Sequence, residues 1–263
     1  MDYNLRDKIA LVTGASKGLG YATAYQLAME GCQVILVARN EINLLKAAKT
    51  IEQATNSTVT AFQADVSKKE EIEKLTQSII QQFGGVDIVV ANAGGPKTGI
   101  FQEVSDDWWY QAIETNLMST IRLFRNGIKL IKKRNNWGRL LVITTTGAKQ
   151  PQENLIISNT LRAGIHALVK TLSKEIAHLN ITVNAVVPGK FMTDRQRNII
   201  NNIAKKDNIS TEAATKKRLI PIPIKRMGEP SELASYIAFL CSPQANYITG
   251  TALNIDGGYL GSI

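Results

Sequence analysis

The chain has 263 residues, 44% of them hydrophobic, and a formal net charge of +9. This length supports a sizeable buried core and is compatible with one α/β domain or two small ones. No apolar run approaches the length of a membrane span and the first eight residues lack a signal peptide's apolar core, so we expect a cytoplasmic protein that does not enter a membrane.

Apolar segments of strand length alternate with helix-like segments along the whole chain. Strands are predicted at residues 9–12, 33–38, 58–63, 86–94, 138–146, 181–189 and 252–255, and helices after Gly20 and at residues 41–55, 68–83, 106–134 (single or bent) and 155–178. Strict alternation with nearly continuous apolar strands is typical of a parallel sheet covered on both faces. We therefore predict an α/β fold: a single doubly wound Rossmann domain over residues 1–263, with a seven-stranded parallel sheet.

One long segment departs from this alternation. Residues 190–229 are mostly polar, contain two weakly helical patches and are predicted to form an irregular insertion. Long insertions in compact domains usually serve as lids or binding loops. We predict that this segment is a substrate lid.

Charge and cysteine content limit the partners. Lysines and arginines cluster at residues 132–134 and, more loosely, between 205 and 226, but no aromatic residues interleave with them, which disfavours nucleic acid. A solvated surface explains the charge most simply, followed by an acidic substrate or a phosphate-bearing cofactor. Cys32 and Cys241 lack the spacing of a metal or redox site, so we expect two buried, reduced thiols and no metal.

A glycine-spaced turn joins the first predicted strand to the helix after it. Its candidate binding residues are Gly14, Ser16, Lys17, Gly18, Leu19 and Gly20. Such a turn directs free backbone N–H groups and the positive end of the helix dipole at one point, which favours a phosphate. A Cβ in place of these glycines would keep the backbone away from a pyrophosphate or force a strained φ. The alternative is an ordinary strand–helix turn.

Arg39 ends the second predicted strand, about 20 residues after this turn. An acidic residue there commonly binds the ribose 2′-hydroxyl of NAD, whereas an arginine accommodates the 2′-phosphate of NADP. Lys17 could neutralise the same group. We predict NADP as the cofactor, the alternative being two unrelated surface cations.

These features resemble the short-chain dehydrogenase/reductase family, especially its 3-oxoacyl-carrier-protein-reductase-like members. Residues 13–20 match the family's T-G-x-x-x-G-x-G cofactor loop, and residues 256–258 match its closing D-G-G. Further matches follow the third, fourth and sixth strands: Asp65 and Val66; Asn92, Ala93 and Gly94; Pro188, Gly189 and Thr193. The resemblance implies that these residues bind the cofactor, with Asp65 at the adenine and Thr193 at the nicotinamide. It also implies a homotetramer in which the helices at 106–134 and 155–178 pack across a two-fold axis.

The resemblance also locates a reaction centre, where this sequence departs from the family. The family uses an Asn, a Ser and a Tyr-x-x-x-Lys motif; the matching residues here are Asn116, Thr145, Ser158 and Arg162. Residues 137–178 contain no tyrosine, so a shifted alignment does not restore the motif. A serine hydroxyl is a much weaker acid than a phenol, and arginine keeps its proton. Arg162 could still bind the ribose hydroxyls that the family's Lys holds.

Other side chains could compensate. Lys149 and Glu153 could reach a substrate from the loop after the fifth strand, whereas we interpret His166 as a packed helix histidine. The aromatic residues at 108–110 could line a pocket, although core packing is the simpler interpretation.

These residues predict an NADP-dependent oxidoreductase that transfers a hydride between the cofactor and a carbonyl or alcohol substrate, such as an acyl thioester or another acidic carbonyl compound. Asn116 would hold a water relay, Thr145 would bind the substrate oxygen, Ser158 would hydrogen-bond it, and Arg162 would hold the ribose. The alternative is a non-catalytic NADP-binding protein that works as a sensor or an assembly subunit.

Overall fold

Seven parallel strands form one sheet at the centre of the computed structural model, which describes residues 2–134 and 137–261. Residues 1, 262 and 263, the ends of the predicted domain, lie outside the described residues, as do 135 and 136. The strands are β1 (Ile9–Thr13), β2 (Gln33–Ala38), β3 (Val59–Gln63), β4 (Ile88–Ala91), β5 (Gly138–Ile143), β6 (Ile181–Pro188) and β7 (Ala252–Ile255). Their spatial order is β3-β2-β1-β4-β5-β6-β7, with every pair parallel. The predicted doubly wound Rossmann sheet is therefore confirmed.

Helices cover both faces of the sheet. They are α1 (Gly18–Met29), α2 (Glu41–Thr55), α3 (Lys69–Phe83), α4 (Asp106–Ala112), α5 (Ser119–Arg134), α6 (Ile156–Ile176), α7 (Asp194–Asp207), α8 (Thr211–Leu219) and α9 (Pro230–Cys241). A π-helical turn, Ile113–Met118, joins α4 to α5. In the described part of the chain, no helix is both long and apolar enough to cross a membrane.

Side chains along each strand alternate between the two faces of the sheet, so a hydrophobic core lies on each side. Ala10 and Val12 of β1 pack on one face with α1, α2 and α9, whereas Ile9 and Leu11 pack on the other with α3, α5 and α6. Successive strand side chains point to opposite faces, so both layers are apolar when both are covered. Cys32 and Cys241 are free thiols with no exposed surface, as expected.

The segment expected to be irregular is largely helical. Within residues 190–229, α7 and α8 are capped by the hydroxyls of Thr193 and Ser210. They enclose a small core of their own, formed by Ile200, Ala204, Ala214, Ile222 and Met227. The two weakly helical patches expected here are α7 and α8, and the segment is more regular than expected because its few apolar residues, diluted among lysines and asparagines, still form a core.

Several strand ends also differ from the prediction. The fourth strand ends at Ala91 rather than residue 94, and the fifth ends at Ile143 rather than residue 146. Arg39 lies just outside β2, which ends at Ala38. These strands pair only up to the edge of the sheet, and the polar residues beyond them enter the loops that form the candidate site.

Candidate active site

Hydrogen bonds between the ends of β1 and β4 fix the glycine loop. Thr13 Oγ1 donates to the Asn92 carbonyl oxygen (2.8 Å) and accepts from the Asn92 backbone N–H (2.9 Å). Asn92 Nδ2 lies 3.3 Å from the carbonyl oxygens of Thr13 and Gly14. A Cβ built on Gly14 would lie 2.6 Å from Asn92 Nδ2, and one on Gly20 would lie 2.7 Å from it. Both positions therefore require glycine.

The N-terminus of α1 suits a phosphate. Among the described residues, no side chain caps this terminus and its first turn carries no acidic residue. Gly18 adopts φ +62°, and the nearest atom to a Cβ built there is Thr193 Cγ2, at 3.8 Å. Uncapped N–H groups beside a left-handed glycine form a favourable pyrophosphate site, and the residues present therefore fit a dinucleotide. Ser16 and Leu19 are half-buried in the same loop.

Arg39 and Lys17 lie in the region predicted for the 2′-phosphate. The Ala15 N–H donates to the Val37 carbonyl oxygen (3.2 Å), which holds the glycine loop beside the end of β2. The Arg39 side chain is 72% exposed, and its Nη1 lies 4.0 Å from Asp65 Oδ2. Lys17 is exposed. Two accessible cations at this edge favour a bound phosphate, and Asp65 orients one of them.

The remaining candidate cofactor residues lie at the same edge of the sheet. Ala93 and Gly94 extend from β4, and a Cβ on Gly94 would meet no atom within 4 Å. The Gly189 N–H, next to Pro188 at the end of β6, donates to the Ile255 carbonyl oxygen (2.8 Å). Thr193 Oγ1 accepts a hydrogen bond from Gln196 N–H at the start of α7, which leaves its own hydrogen for another acceptor. Val66 packs partly into the core.

The π-helical turn positions Asn116, which is 1% exposed. Its Nδ2 donates to the Gly94 carbonyl oxygen (2.7 Å), linking this turn to the loop after β4. Its Oδ1 is buried and accepts no hydrogen bond from any described residue. Arg122 spans the turn by pairing with Glu114 (2.5 Å). A π-turn inside a helix is frequent at functional sites, and this one holds a buried acceptor, without a partner among the described residues, beside the loop after β4.

Arg162 anchors the predicted catalytic set. It is 5% exposed, and its Nη1 donates to the carbonyl oxygen of Ile143 at the end of β5 (3.0 Å). Ser158 lies one turn before Arg162 on α6, and Thr145 lies two residues after Ile143. Both are half-buried, and neither hydroxyl forms a hydrogen bond with a described residue. Helix α6 also packs against the π-helical turn, so all four predicted residues flank one region.

The electrostatic environment of this region is positive. Burial and, to a smaller extent, the neighbouring charge of Arg195 together lower the pKa of Arg162 to about 10. Arg162 therefore remains a cation at neutral pH. Arg195 is the second residue of α7, and its guanidinium lies against Gly95, where a Cβ would be 2.8 Å from Nη2.

His166 lies two turns after Ser158 on α6, as the sequence indicates. Its Nε2 lies 2.9 Å from Thr144 Oγ1, which also lies 3.2 Å from the Val186 carbonyl oxygen. Burial, together with the charges of Lys149 and Arg162, lowers the pKa of His166 to about 4. The ring is therefore neutral near pH 7, in agreement with the interpretation of His166 as a packed histidine.

The other side chains considered as substitutes lie around this region. Lys149 and Glu153 are exposed in the loop after β5. Trp108 and Trp109 pack beside Ile157 and Leu161, as expected for core residues. Tyr110 does not pack into the core, because its side chain is 66% exposed, so the prediction of core packing is wrong for this residue.

Sequence reasoning missed two residues. Arg195 follows Thr193 by two positions but was hidden among the many cations of residues 190–229. Asn159 is buried beside Ser158; its Nδ2 donates to the Gln152 carbonyl oxygen (2.8 Å), while its Oδ1 has no partner among the described residues. Within those residues, no group of three or more His, Cys, Asp or Glu side chains could hold a metal.

Comparison with known proteins identifies relatives across the full chain. A family model described as enoyl-(acyl carrier protein) reductase matches residues 14–260. The 3-oxoacyl-(acyl-carrier-protein) reductase of Vibrio cholerae is 35% identical over 256 residues, covering 97% of this chain and 98% of that protein. Dehydrogenase/reductase SDR family member 4 of Bos taurus is 31% identical, covering 97% of this chain and 88% of that protein. L-sorbose reductase from Gluconobacter frateurii, solved with NADPH and L-sorbose, superposes with a TM-score of 0.96 at 31% identity over 100% of both chains.

Proposed function

The chain belongs to the short-chain dehydrogenase/reductase family of oxidoreductases, and we propose that it is an NADP-dependent member with an altered catalytic set. Its substrate is a carbonyl compound or the corresponding alcohol. Thr145, Ser158 and Arg162 stand in place of the family's Ser, Tyr and Lys. The observation that carries this proposal is Arg162, a buried cation held at the end of β5 beside Ser158.

The proposed cofactor site runs along the edge of the sheet. The glycine loop and the α1 N-terminus would hold the pyrophosphate, Arg39 and Lys17 the 2′-phosphate, and Thr193 the nicotinamide. Asp65, Val66, Asn92, Ala93, Gly94, Pro188 and Gly189 would complete the site. When bound, NADPH supplies the hydride for carbonyl reduction.

The proposed roles of the catalytic set follow from charge. Reduction leaves negative charge on the substrate oxygen, and a buried cation close to that oxygen stabilises it most where water is excluded. Arg162 provides this charge, and the free hydroxyls of Thr145 and Ser158 provide hydrogen bonds. Arg162 cannot release its proton, so the final proton comes from water. The unpartnered Oδ1 of Asn116 supports a role in holding that water.

One observation favours the second candidate, a non-catalytic NADP-binding protein. The Ser158 hydroxyl has no base or relay within hydrogen-bond distance among the described residues. General acid–base assistance contributes about 10²–10⁴ in rate, so its loss could leave binding without useful turnover.

We also propose a cytoplasmic homotetramer. The resemblance to the family implies that the two long predicted helices pack across a two-fold axis between chains. In the structure these two segments are α4–α5 and α6. Light scattering that shows fewer than four chains per particle would exclude it.

Titration of NADPH and NADH into wild type and Arg39→Ala tests the cofactor assignment. We expect wild type to bind NADPH more tightly, because charge-assisted hydrogen bonds from Arg39 and Lys17 engage only the phosphorylated ribose. Arg39→Ala should lower NADPH affinity about tenfold and leave NADH affinity unchanged. Equal wild-type affinities, or an unchanged ratio in the variant, would contradict it. An NADPH-oxidation assay with ketones and acyl thioesters, run on the same preparations, separates the enzyme from the binding protein.

A further inference from the structure

Two arginines from different elements converge on the region between β4, β5 and α7. Arg162 belongs to α6, and Arg195 belongs to the first turn of α7. The Arg195 guanidinium reaches across to Gly95, directly after the Asn92–Gly94 loop. It is close enough to Arg162 that its positive charge disfavours the protonated, charged form of the buried Arg162 guanidinium. Holding two cations together has an electrostatic cost that a bound anion would remove.

No carboxylate of the described residues neutralises this pair. Arg162 hydrogen-bonds only a backbone carbonyl oxygen, and Arg195 forms no hydrogen bond or ion pair within the described part of the chain. Asp194, which precedes Arg195, pairs instead with Arg197 (3.0 Å). The charges that act on His166, on the same face of α6, are also positive: those of Lys149 and Arg162. The local field therefore attracts an anion.

We infer that Arg195 binds a carboxylate on the substrate, with the buried charge of Arg162 adding to the positive field there, so that the preferred substrate is an oxo acid rather than a neutral ketone. This inference rests on the proposed function, since it takes the end of β5 as the place where the substrate binds. The planar guanidinium binds carboxylate oxygens in a two-pronged arrangement, which fixes the orientation of a small substrate as well as its charge.

The cofactor pyrophosphate is the competing anion, because Thr193 lies near Gly18 and Arg195 is only two residues further on. The substrate is favoured for two reasons. First, the uncapped N-terminus of α1 already provides a binding site for the pyrophosphate. Second, the charge of Arg195 acts on Arg162, and Arg162 lies on the same face of α6 as Ser158 in the candidate reaction centre.

The test measures binding, so that it does not depend on turnover. Calorimetry on protein saturated with NADP⁺ compares pyruvate, 3-oxobutanoate and 4-oxopentanoate with their methyl esters. We expect at least one acid to bind wild type at least tenfold more tightly than its ester. Arg195→Met should abolish that preference while changing NADPH affinity less than twofold. Lys205→Met removes a charge from the same helix at a position away from Arg195 and should preserve the preference.

Two outcomes would overturn the inference. In the first, wild type binds none of the three acids better than its ester. In the second, Arg195→Met leaves the preference for the acid intact; if it also weakens NADPH binding tenfold or more, Arg195 is assigned to the pyrophosphate instead. If the proposed function is wrong but this inference is right, the acid will bind with its Arg195-dependent preference and no NADPH will be oxidised.

Discussion

In the proposed site, Arg162 takes the position of the family's lysine, which keeps a positive charge there but changes the chemistry of that position. A lysine and an arginine both place a cation one turn after residue 158 on α6. Lysine can exchange a proton and lower the pKa of a neighbouring phenol, whereas arginine donates hydrogen bonds and keeps its charge. Its hydrogen bond to the Ile143 carbonyl oxygen fixes that charge at the edge of the sheet. The position therefore supports binding and electrostatic stabilisation, but not proton transfer.

His166 makes stability depend on pH. Its pKa is lowered to about 4 in the folded protein, against 6.5 ordinarily, so the unfolded chain takes up a proton between these values while the folded protein does not. The free energy of unfolding should therefore fall as pH drops from about 6.5 to about 4, and this contribution should be constant below pH 4. We expect a loss of the order of 2 kcal/mol, reduced from the full linkage value because the ring is partly exposed.

Urea unfolding of His166→Gln between pH 7 and pH 4 measures this effect. The variant should lose less stability over that range than wild type. His178→Gln is the matched control, because His178 is exposed and is the only other histidine. If His166→Gln shows the same pH dependence as wild type, the buried neutral histidine is not its source.

At the scale of elements, α7 and α8 connect the cofactor loop to the candidate substrate site. Thr193 lies near Gly18, and Arg195 lies against Gly95, so the start of α7 is close to both the glycine loop and the loop after β4. The two helices otherwise rest on their own small core and on contacts such as Lys190 Nζ to the Arg218 carbonyl oxygen (3.0 Å). A segment with few links to the main core opens easily, which suits a lid.

Hydrogen exchange with and without NADPH tests the lid. We expect amides of residues 190–219 to gain protection when NADPH binds, because the cofactor joins Thr193 to the glycine loop. Helix α9 packs into the main core and serves as the internal control, with no change expected. Complete protection of residues 190–219 in the free protein would contradict a lid.

The sequence predicted most elements, and the exceptions have physical causes. Helix α9 was not predicted; it begins with a capping box between Glu229 and Glu232 that also involves Arg226 (2.7 Å), contacts that composition does not reveal. The segment at 106–134 was predicted as a helix or a bent one, but its π-helical turn depends on tertiary bonds such as Asn116 to Gly94. The cap of α9 is formed by neighbours in the sequence and needs their side-chain geometry to be recognised, whereas the π-helical turn depends on a partner 22 residues away.

At the scale of the whole molecule, topology explains why the residues of the candidate site lie at one edge of the sheet. Doubly wound sheets bring the carboxyl ends of β1, β2, β4, β5 and β6 to one edge, so polar residues after those strands meet there. That rule located the regions around Gly14, Arg39, Asn92 and Thr145. It could not predict Arg195, which reaches the same edge from a helix in residues 190–229, because the orientation of α7 follows from packing rather than from strand order.

The central claim is that Ser158 and Arg162 occupy an otherwise intact reductase site. The most direct measurement is kcat/KM for NADPH-dependent reduction of 3-oxobutanoate and its methyl ester by wild type and by Ser158→Tyr combined with Arg162→Lys. The double variant regains a phenol and the lysine that lowers its pKa, while Asn116, Thr145 and the glycine loop are unchanged.

We predict at least a tenfold gain in kcat/KM for the double variant on one of the two substrates, and a smaller gain for each single substitution, because the two groups act together. NADPH affinity and thermal stability, measured on the same preparations, serve as controls for folding and cofactor binding. A double variant that folds and binds NADPH like wild type but reduces neither substrate faster would contradict the claim.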